Sequence, residues 1–139
     1  MFERLEQLKN LSICQCGLSD RFVEHLPPSI ASLNLSSNRF TDASIQRLSS
    51  LPLTSLDISA NYQLTDSAFS LLPQTITVLK ISECPLLTGA VCALLPRNLK
   101  QLLMHVTELI APDSFAALPR TLSDLCLSRC YPGTGSDGK

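Results

Sequence analysis

The sequence contains no tryptophan, and aromatic residues make up only 5% of it. Neither sign of charge dominates, because 11 basic residues stand against 12 acidic ones. This balance argues against binding to nucleic acid or to an anionic membrane, since both need clustered positive charge. No apolar run approaches the roughly 20 residues of a membrane-spanning helix, and the N-terminus lacks the apolar segment of a secretory signal. We therefore expect a cytoplasmic protein.

Leucine, in contrast, is abundant, with 27 copies among 139 residues. The pattern LxxLxLxx(N/C/T) occurs six times, and its first positions are separated by 22 residues once and then by 23 residues four times. These first positions are Leu8, Ile30, Leu53, Ile76, Leu99 and Leu122. A fixed period of about 20 to 50 residues is typical of proteins built from stacked structural repeats.

The second half of each unit repeats as well. Two apolar columns run through it three residues apart, which is helical spacing. A hydroxyl residue precedes these columns in four units and is expected to cap a short helix. The aspartate that follows it in three of them suits the positive end of the helix dipole. The hydroxyl residues are Ser19, Thr41, Thr65 and Thr88. Prolines at positions 27, 73, 96 and 119 are expected to end these helices.

The first half of each unit predicts a short strand. Alternate side chains of a strand point to opposite faces, so the leucines point inward and the residues between them outward. We predict six parallel strands centred on residues 10–14, 32–36, 55–59, 78–82, 101–105 and 124–128. Asn38 and Asn61 lie where the chain leaves the strand, and we expect their amides to bond to adjacent turns. The cysteines and the threonine at the same position do so more weakly.

The repeated pattern resembles the leucine-rich repeat family over roughly residues 5–131. The resemblance implies an α/β fold, a right-handed, horseshoe-shaped solenoid with six parallel strands on its concave face and short helices on its convex face. It also implies one repeat domain over residues 1–131, with the last repeat truncated, followed by a flexible tail over residues 132–139.

Six cysteines raise the question of a disulfide or a metal site. Cys16, Cys84 and Cys130 share one position of the repeat, but they lie at least about 10 Å apart, too far for a bridge whose Cα atoms are within about 7 Å. Around Cys14 and Cys16, no second pair and no nearby histidine completes a set of four zinc ligands. We therefore expect free thiols, no disulfide and no metal.

Catalysis would have to use the outward strand residues. His105 shares its repeat position with Ser82 and Ser128, so a contact between serine and histidine is geometrically possible. No acidic residue is placed to orient the histidine, and no oxyanion site is evident. No glycine-rich phosphate loop is present either. We expect no enzymatic activity, no cofactor and no small-molecule substrate.

The outward strand residues instead predict a protein-binding surface. Leucine-rich repeat proteins generally bind proteins through the concave face, so the resemblance implies a non-enzymatic interaction scaffold. An alternative is a substrate-recognition or regulatory segment of a larger enzyme assembly, such as a ubiquitin ligase. Exposed apolar groups with polar neighbours mark interaction sites, and such a cluster surrounds His105. The predicted partner-binding residues are Asn34, Asp57, Val78, Lys80, Gln101, Leu103, His105 and Val106.

Overall fold

A computed structural model describes residues 4–105 and 111–128 of the chain. These residues form one six-stranded sheet whose spatial order is the sequence order. Every neighbouring pair of strands is parallel, as predicted. Strands β1 to β6 are Asn10–Ser12, Ser32–Asn34, Ser55–Asp57, Val78–Lys80, Gln101–His105 and Asp124–Ser128. Residues 132–139, the predicted tail, lie outside the described residues.

The first four strands are two residues shorter than predicted, because the chain turns out of the sheet early. Backbone hydrogen bonds continue one step beyond these strands, for example from Ile58 N to Lys80 O at 3.0 Å. The chain then passes through a left-handed residue in each of the first four units, with φ between 55° and 58°. These residues are Gln15, Ser37, Ala60 and Glu83. The left-handed conformation ends the extended segment and directs the chain toward the helical side.

The strand register places the leucines of successive units beside one another. Leu56 pairs with Leu33 on one side and with Leu79 on the other, and Leu79 pairs in turn with Leu102. All four are at most 2% exposed. Leu125 in the edge strand β6 is 47% exposed, since in the described chain β6 has a neighbour on one side only. The leucine row thus forms one wall of the core.

Short helices connect the strands and form the other wall. Among the described residues, one is an α-helix, α1, at Asp42–Leu48, and four are 3-10 helices, which we number η1 to η4. The 3-10 helices are Asp20–His25, Asp66–Leu71, Gly89–Leu94 and Pro112–Ala117. Val23, Ile45, Phe69 and Cys92, which share one repeat position in the helical half of their units, are buried. The molecule is therefore an α/β protein with an all-parallel sheet and few short helices.

The prolines decide which connections become 3-10 helices. Each 3-10 helix is followed by a leucine in extended conformation, with ψ between 137° and 153°. A proline comes directly after each of these leucines, and it disfavours the α-helical conformation of the residue before it. In the second unit the proline stands later, at Pro52, and Ser49 after α1 keeps an α-helical backbone. That unit alone forms an α-helix among the described residues.

Aspartates at the helix starts link successive units, a role that the sequence analysis did not predict. The carboxylate of Asp20 accepts a bond from Thr41 N at 2.8 Å and a second from the Thr41 hydroxyl. Asp42 binds Thr65 in the same way in the next unit. Asp66 then binds Thr88. The predicted capping by hydroxyl groups is confirmed at Thr41 and Thr88 only, which accept bonds from backbone N–H groups of their own helices.

This Asp–Thr ladder ends at Gly89. A Cβ atom at Gly89 would lie 2.1 Å from the Ser114 Oγ atom, so an aspartate cannot occupy this position without a rearrangement. The next unit has Ala111 where a threonine would be needed to continue the ladder. Packing of Ser114 thus replaces the carboxylate link between these two units.

The predicted asparagine bonds are confirmed. Asn38 Oδ1 accepts bonds from the backbone N–H groups of Cys16 and Leu18, at 3.1 and 3.0 Å. Its Nδ2 atom donates to three carbonyl groups of its own and the preceding unit. Asn61 donates to an equivalent set. The Cys84 sulfur, at the same repeat position, lies 3.7 and 3.6 Å from its carbonyl acceptors, a weaker arrangement as expected.

The bonds to the Asp20 carboxylate predict that stability depends on pH. Burial raises the pKa of Asp20, but bonds from Ser44 and Thr41 and the charge of Arg47 lower it, and the pKa lies below its ordinary value. A lowered pKa adds stability above the ordinary aspartate pKa of about 3.9, and this stability is lost as the pH falls through the folded-state pKa. We expect Asp20→Asn to be about 0.5–1 kcal/mol less stable than the wild type at pH 7.

Urea unfolding at pH 7 and at pH 3 tests this expectation. The difference between the wild type and Asp20→Asn should shrink at pH 3, because below the ordinary pKa of about 3.9 the unfolded wild type takes up a proton at Asp20 more readily than the folded state, whose pKa is lowered. A difference that stays constant or widens at pH 3 would show that the Asp20 carboxylate adds no pH-dependent stability.

Candidate functional site

The strands present one face to solvent, which we call the open face. Parallel register sorts its side chains into columns, with neighbours about 4.8 Å apart. The first column is Asn10, Ser32, Ser55, Val78, Gln101 and Asp124. The second column is Ser12, Asn34, Asp57, Lys80, Leu103 and Cys126. All of these residues are exposed or half-buried, so they are available for contact.

Two grooves run along the open face. The N-terminal groove has a volume of about 300 Å³, and Asn34 and Asp57 are among the residues that line it. The C-terminal groove has a volume of about 430 Å³. Its open-face lining consists of Val78, Lys80, Gln101, Leu103, Asp124 and Cys126. Lys80 lines both grooves, so the two are neighbours on the open face.

Six of the predicted partner-binding residues therefore line the two grooves. Four of these line the C-terminal groove: Val78, Lys80, Gln101 and Leu103. Leu103 and Val78 are half-buried rather than fully exposed, because neighbouring strands cover part of each side chain. His105 lies on the same strand as Leu103, two residues further on. The last predicted residue, Val106, lies outside the described residues.

The two grooves differ in chemistry. The open-face residues of the N-terminal groove are polar or charged. The C-terminal groove instead combines the apolar side chains of Val78 and Leu103 with charges at Lys80 and Asp124. The Asp124 carboxylate accepts a bond from Gln101 Nε2 at 3.2 Å. The apolar surface of the open face is thus concentrated on β4 and β5.

Two predicted binding residues also have a structural task. Asn34 Oδ1 accepts a bond from Ser36 N, and Asp57 Oδ1 accepts one from Ser59 N, both at 3.0 Å. These bonds hold the chain where it leaves the strand, which is a common role of asparagine and aspartate before a turn. The sequence carries a signal for it, since both residues stand two positions before a serine in the same part of the repeat.

In a third outward column, which includes Ser59, Ser82 and His105, the serine hydroxyls bond to the backbone of the next strand. Ser59 Oγ accepts a bond from Ser82 N at 3.0 Å, and Ser82 Oγ accepts one from the backbone N–H of His105 at 3.2 Å. The imidazole ring contacts Cys126, with Nε2 3.3 Å from Sγ. Sequence reasoning missed this pair, because the two residues occupy different columns and only the side-chain conformation brings them together.

The described residues also bear on the expected absence of a metal site and of a disulfide. It contains no group of three or more His, Cys, Asp or Glu side chains that could hold a metal ion. No disulfide joins its five cysteines. Burial raises the pKa of the Cys84 thiol to about 11, which keeps that group protonated. Among the same residues, no helix has both the length and the apolar character to cross a membrane.

Comparison with known proteins finds no family model and no curated protein that matches this chain.

Proposed function

We propose that this chain is a leucine-rich repeat solenoid that binds a protein partner through its open face, which is the concave surface. The observation that carries the proposal is the open face itself. It presents two columns of in-register side chains across six strands and contains two neighbouring grooves. Stacked repeats commonly use such an extended surface for binding.

The regular stacking supports the solenoid. Each strand pairs with the strand of the next unit, and the paired residues are one repeat apart. The helices likewise pack against the helices of neighbouring units. Strands lie about 4.8 Å apart, whereas helices with their side chains are wider. A stack with strands on one side and helices on the other therefore curves toward the strands.

The size and composition of the open face favour a protein as the ligand. Six strands at about 4.8 Å span roughly 25 Å, which suits a partner surface more than a compact small molecule. Charges of both signs at Asp57, Lys80 and Asp124 do not favour a polyanion such as nucleic acid. The half-buried Leu103 offers an apolar anchor near the middle of the C-terminal groove, where the binding energy of protein interfaces concentrates.

A pair of matched substitutions tests the proposal. Leu103→Asp places a charge in the C-terminal groove, and Gln46→Asp places the same charge on the exposed surface of α1. We expect Leu103→Asp to weaken partner binding at least about tenfold, equivalent to roughly 1.4 kcal/mol. Gln46→Asp should bind like the wild type. Binding is measured by quantitative capture from lysate of the source cells, followed by titration of the captured protein.

Circular dichroism of both variants serves as the control that they are folded. Loss of binding in Gln46→Asp, with Leu103→Asp unaffected, would place the active surface on the helical side. A wild-type protein that captures nothing beyond what Leu103→Asp captures would equally contradict the proposal.

A further inference from the structure

The side chains of Cys126 and His105 are in contact on the open face. The two residues lie on adjacent strands, in which Leu103 pairs with Cys126 and His105 pairs with Ser128. The ring of His105 leans back toward the start of β5 and brings Nε2 to 3.3 Å from the Cys126 sulfur. A thiol and an imidazole within hydrogen-bonding reach form the basic arrangement of an activated cysteine.

The sulfur of this pair is accessible and opens onto space for a ligand. Cys126 is exposed and lines the C-terminal groove, whose volume is about 430 Å³. Pockets that hold small molecules range from roughly 300 to 1,000 Å³. Val78 and Leu103 supply apolar contacts in this groove, and Lys80 supplies a cation. A small molecule attached to the sulfur would therefore fit along the strands.

None of the other described cysteines lines the C-terminal groove with an exposed sulfur. Cys84 and Cys92 are buried. Cys14 is exposed on the open face at the opposite end of the sheet, but its sulfur lies next to a hydroxyl, 3.6 Å from Ser12 Oγ. Cys16 is exposed as well, and its thiol donates to the Cys14 carbonyl group. Cys14 is thus an internal reference for an exposed thiol beside a hydroxyl.

We propose that Cys126 is a reactive thiol that forms mixed disulfides with low-molecular-weight disulfides, with His105 as its base. His105 Nε2 takes the thiol proton while the Cys126 sulfur attacks one sulfur of the disulfide. A bond forms between these two sulfurs, the original S–S bond breaks, and the other half leaves as a thiolate that receives the proton. Cys126 is oxidised and the small disulfide is reduced, so no further oxidant is needed.

Oxidised glutathione is the probe for this reaction. The reduced full-length chain is mixed with it at pH 7, the reaction is stopped at intervals, and peptide mass spectrometry gives the modification rate of each cysteine. We expect Cys126 to react at least about tenfold faster than Cys14, a conservative bound since general acid–base catalysis typically contributes about 10²–10⁴-fold. In His105→Asn, Cys126 should slow to within about twofold of Cys14, while the rate of Cys14 stays unchanged.

Imidazole added to the buffer separates a chemical from a purely structural role of His105. It should restore part of the Cys126 rate in His105→Asn and leave the rate of Cys14 unaffected. Equal rates for Cys126 and Cys14 in the wild type would overturn the proposal, and that comparison requires no substitution. An unchanged Cys126 rate in a folded His105→Asn variant would overturn it as well. The test needs no protein partner, so its outcome is independent of the proposed binding function.

Discussion

Leu79→Ala is expected to lower the free energy of unfolding by about 2–5 kcal/mol, the usual cost of truncating a fully buried leucine. Leu79 is 0% exposed and lies in the leucine row between Leu56 and Leu102. Both neighbours belong to strands that are held by backbone hydrogen bonds, so they cannot move inward to fill the space. The cavity therefore remains, and its cost adds to that of the lost apolar burial.

Two substitutions serve as controls in the same urea-unfolding experiment. Lys80→Ala changes the adjacent, exposed residue of the same strand and should cost less than about 0.5 kcal/mol. Leu125→Ala makes the same truncation in the same row, but at the 47% exposed edge, so it should cost less than half as much as Leu79→Ala. Equal losses in Leu79→Ala and Lys80→Ala would mean that the two faces of the sheet are assigned wrongly.

The sequence predicts the sheet well because the period of the pattern sets the strand register directly. Residues that share a repeat position, such as Leu56 and Leu79, become paired neighbours. The strand ends are predicted less well, because the residues that turn the chain out of the sheet are not glycines. Ser37 and Ala60 adopt a left-handed backbone that ordinary side chains rarely take up. Their identity therefore gave no sign of the turn.

For the helices, the starting positions were predictable from the sequence, but the bonds of the aspartates were not. The hydroxyl residues mark the helix starts. Asp20 and its equivalents were expected to interact with the positive end of the helix dipole. In the fold, Asp20 reaches across to Thr41 of the next unit, a contact 21 residues away in the sequence. Such a bond becomes visible only when the units are stacked.

The sequence predicts which residues lie on the open face, but it does not predict all the contacts between their side chains. Alternation along the strands places Lys80 and Leu103 on the open face without further information. The contact between His105 and Cys126 depends on a side-chain rotamer, which no residue pattern encodes. The structural role of Asp57 does have a sequence signal, since Asp57 stands two residues before Ser59, whose backbone N–H it binds.

Asn61→Ala is the second substitution with a large expected effect, because Asn61 satisfies buried backbone groups of two units. The side chain is 0% exposed. Its Oδ1 atom accepts a bond from Phe40 N at 3.0 Å, and its Nδ2 atom donates to Leu35 O and Ile58 O at 3.1 and 2.9 Å. Alanine leaves these groups without that partner, and each unsatisfied buried group costs about 1–3 kcal/mol. We expect a total loss of about 2–4 kcal/mol after partial relaxation.

Cys84→Ala is the matched control, since Cys84 is the equivalent residue of the next unit and is also 0% exposed. Its sulfur approaches the Ile58 carbonyl group only to 3.7 Å, so alanine removes packing and a weak contact rather than strong hydrogen bonds. We expect this variant to lose about 1 kcal/mol. Urea unfolding of the two variants measures the difference directly. If Asn61→Ala lost no more stability than Cys84→Ala, the hydrogen bonds of Asn61 would contribute nothing to the free energy of unfolding beyond the packing of its side chain.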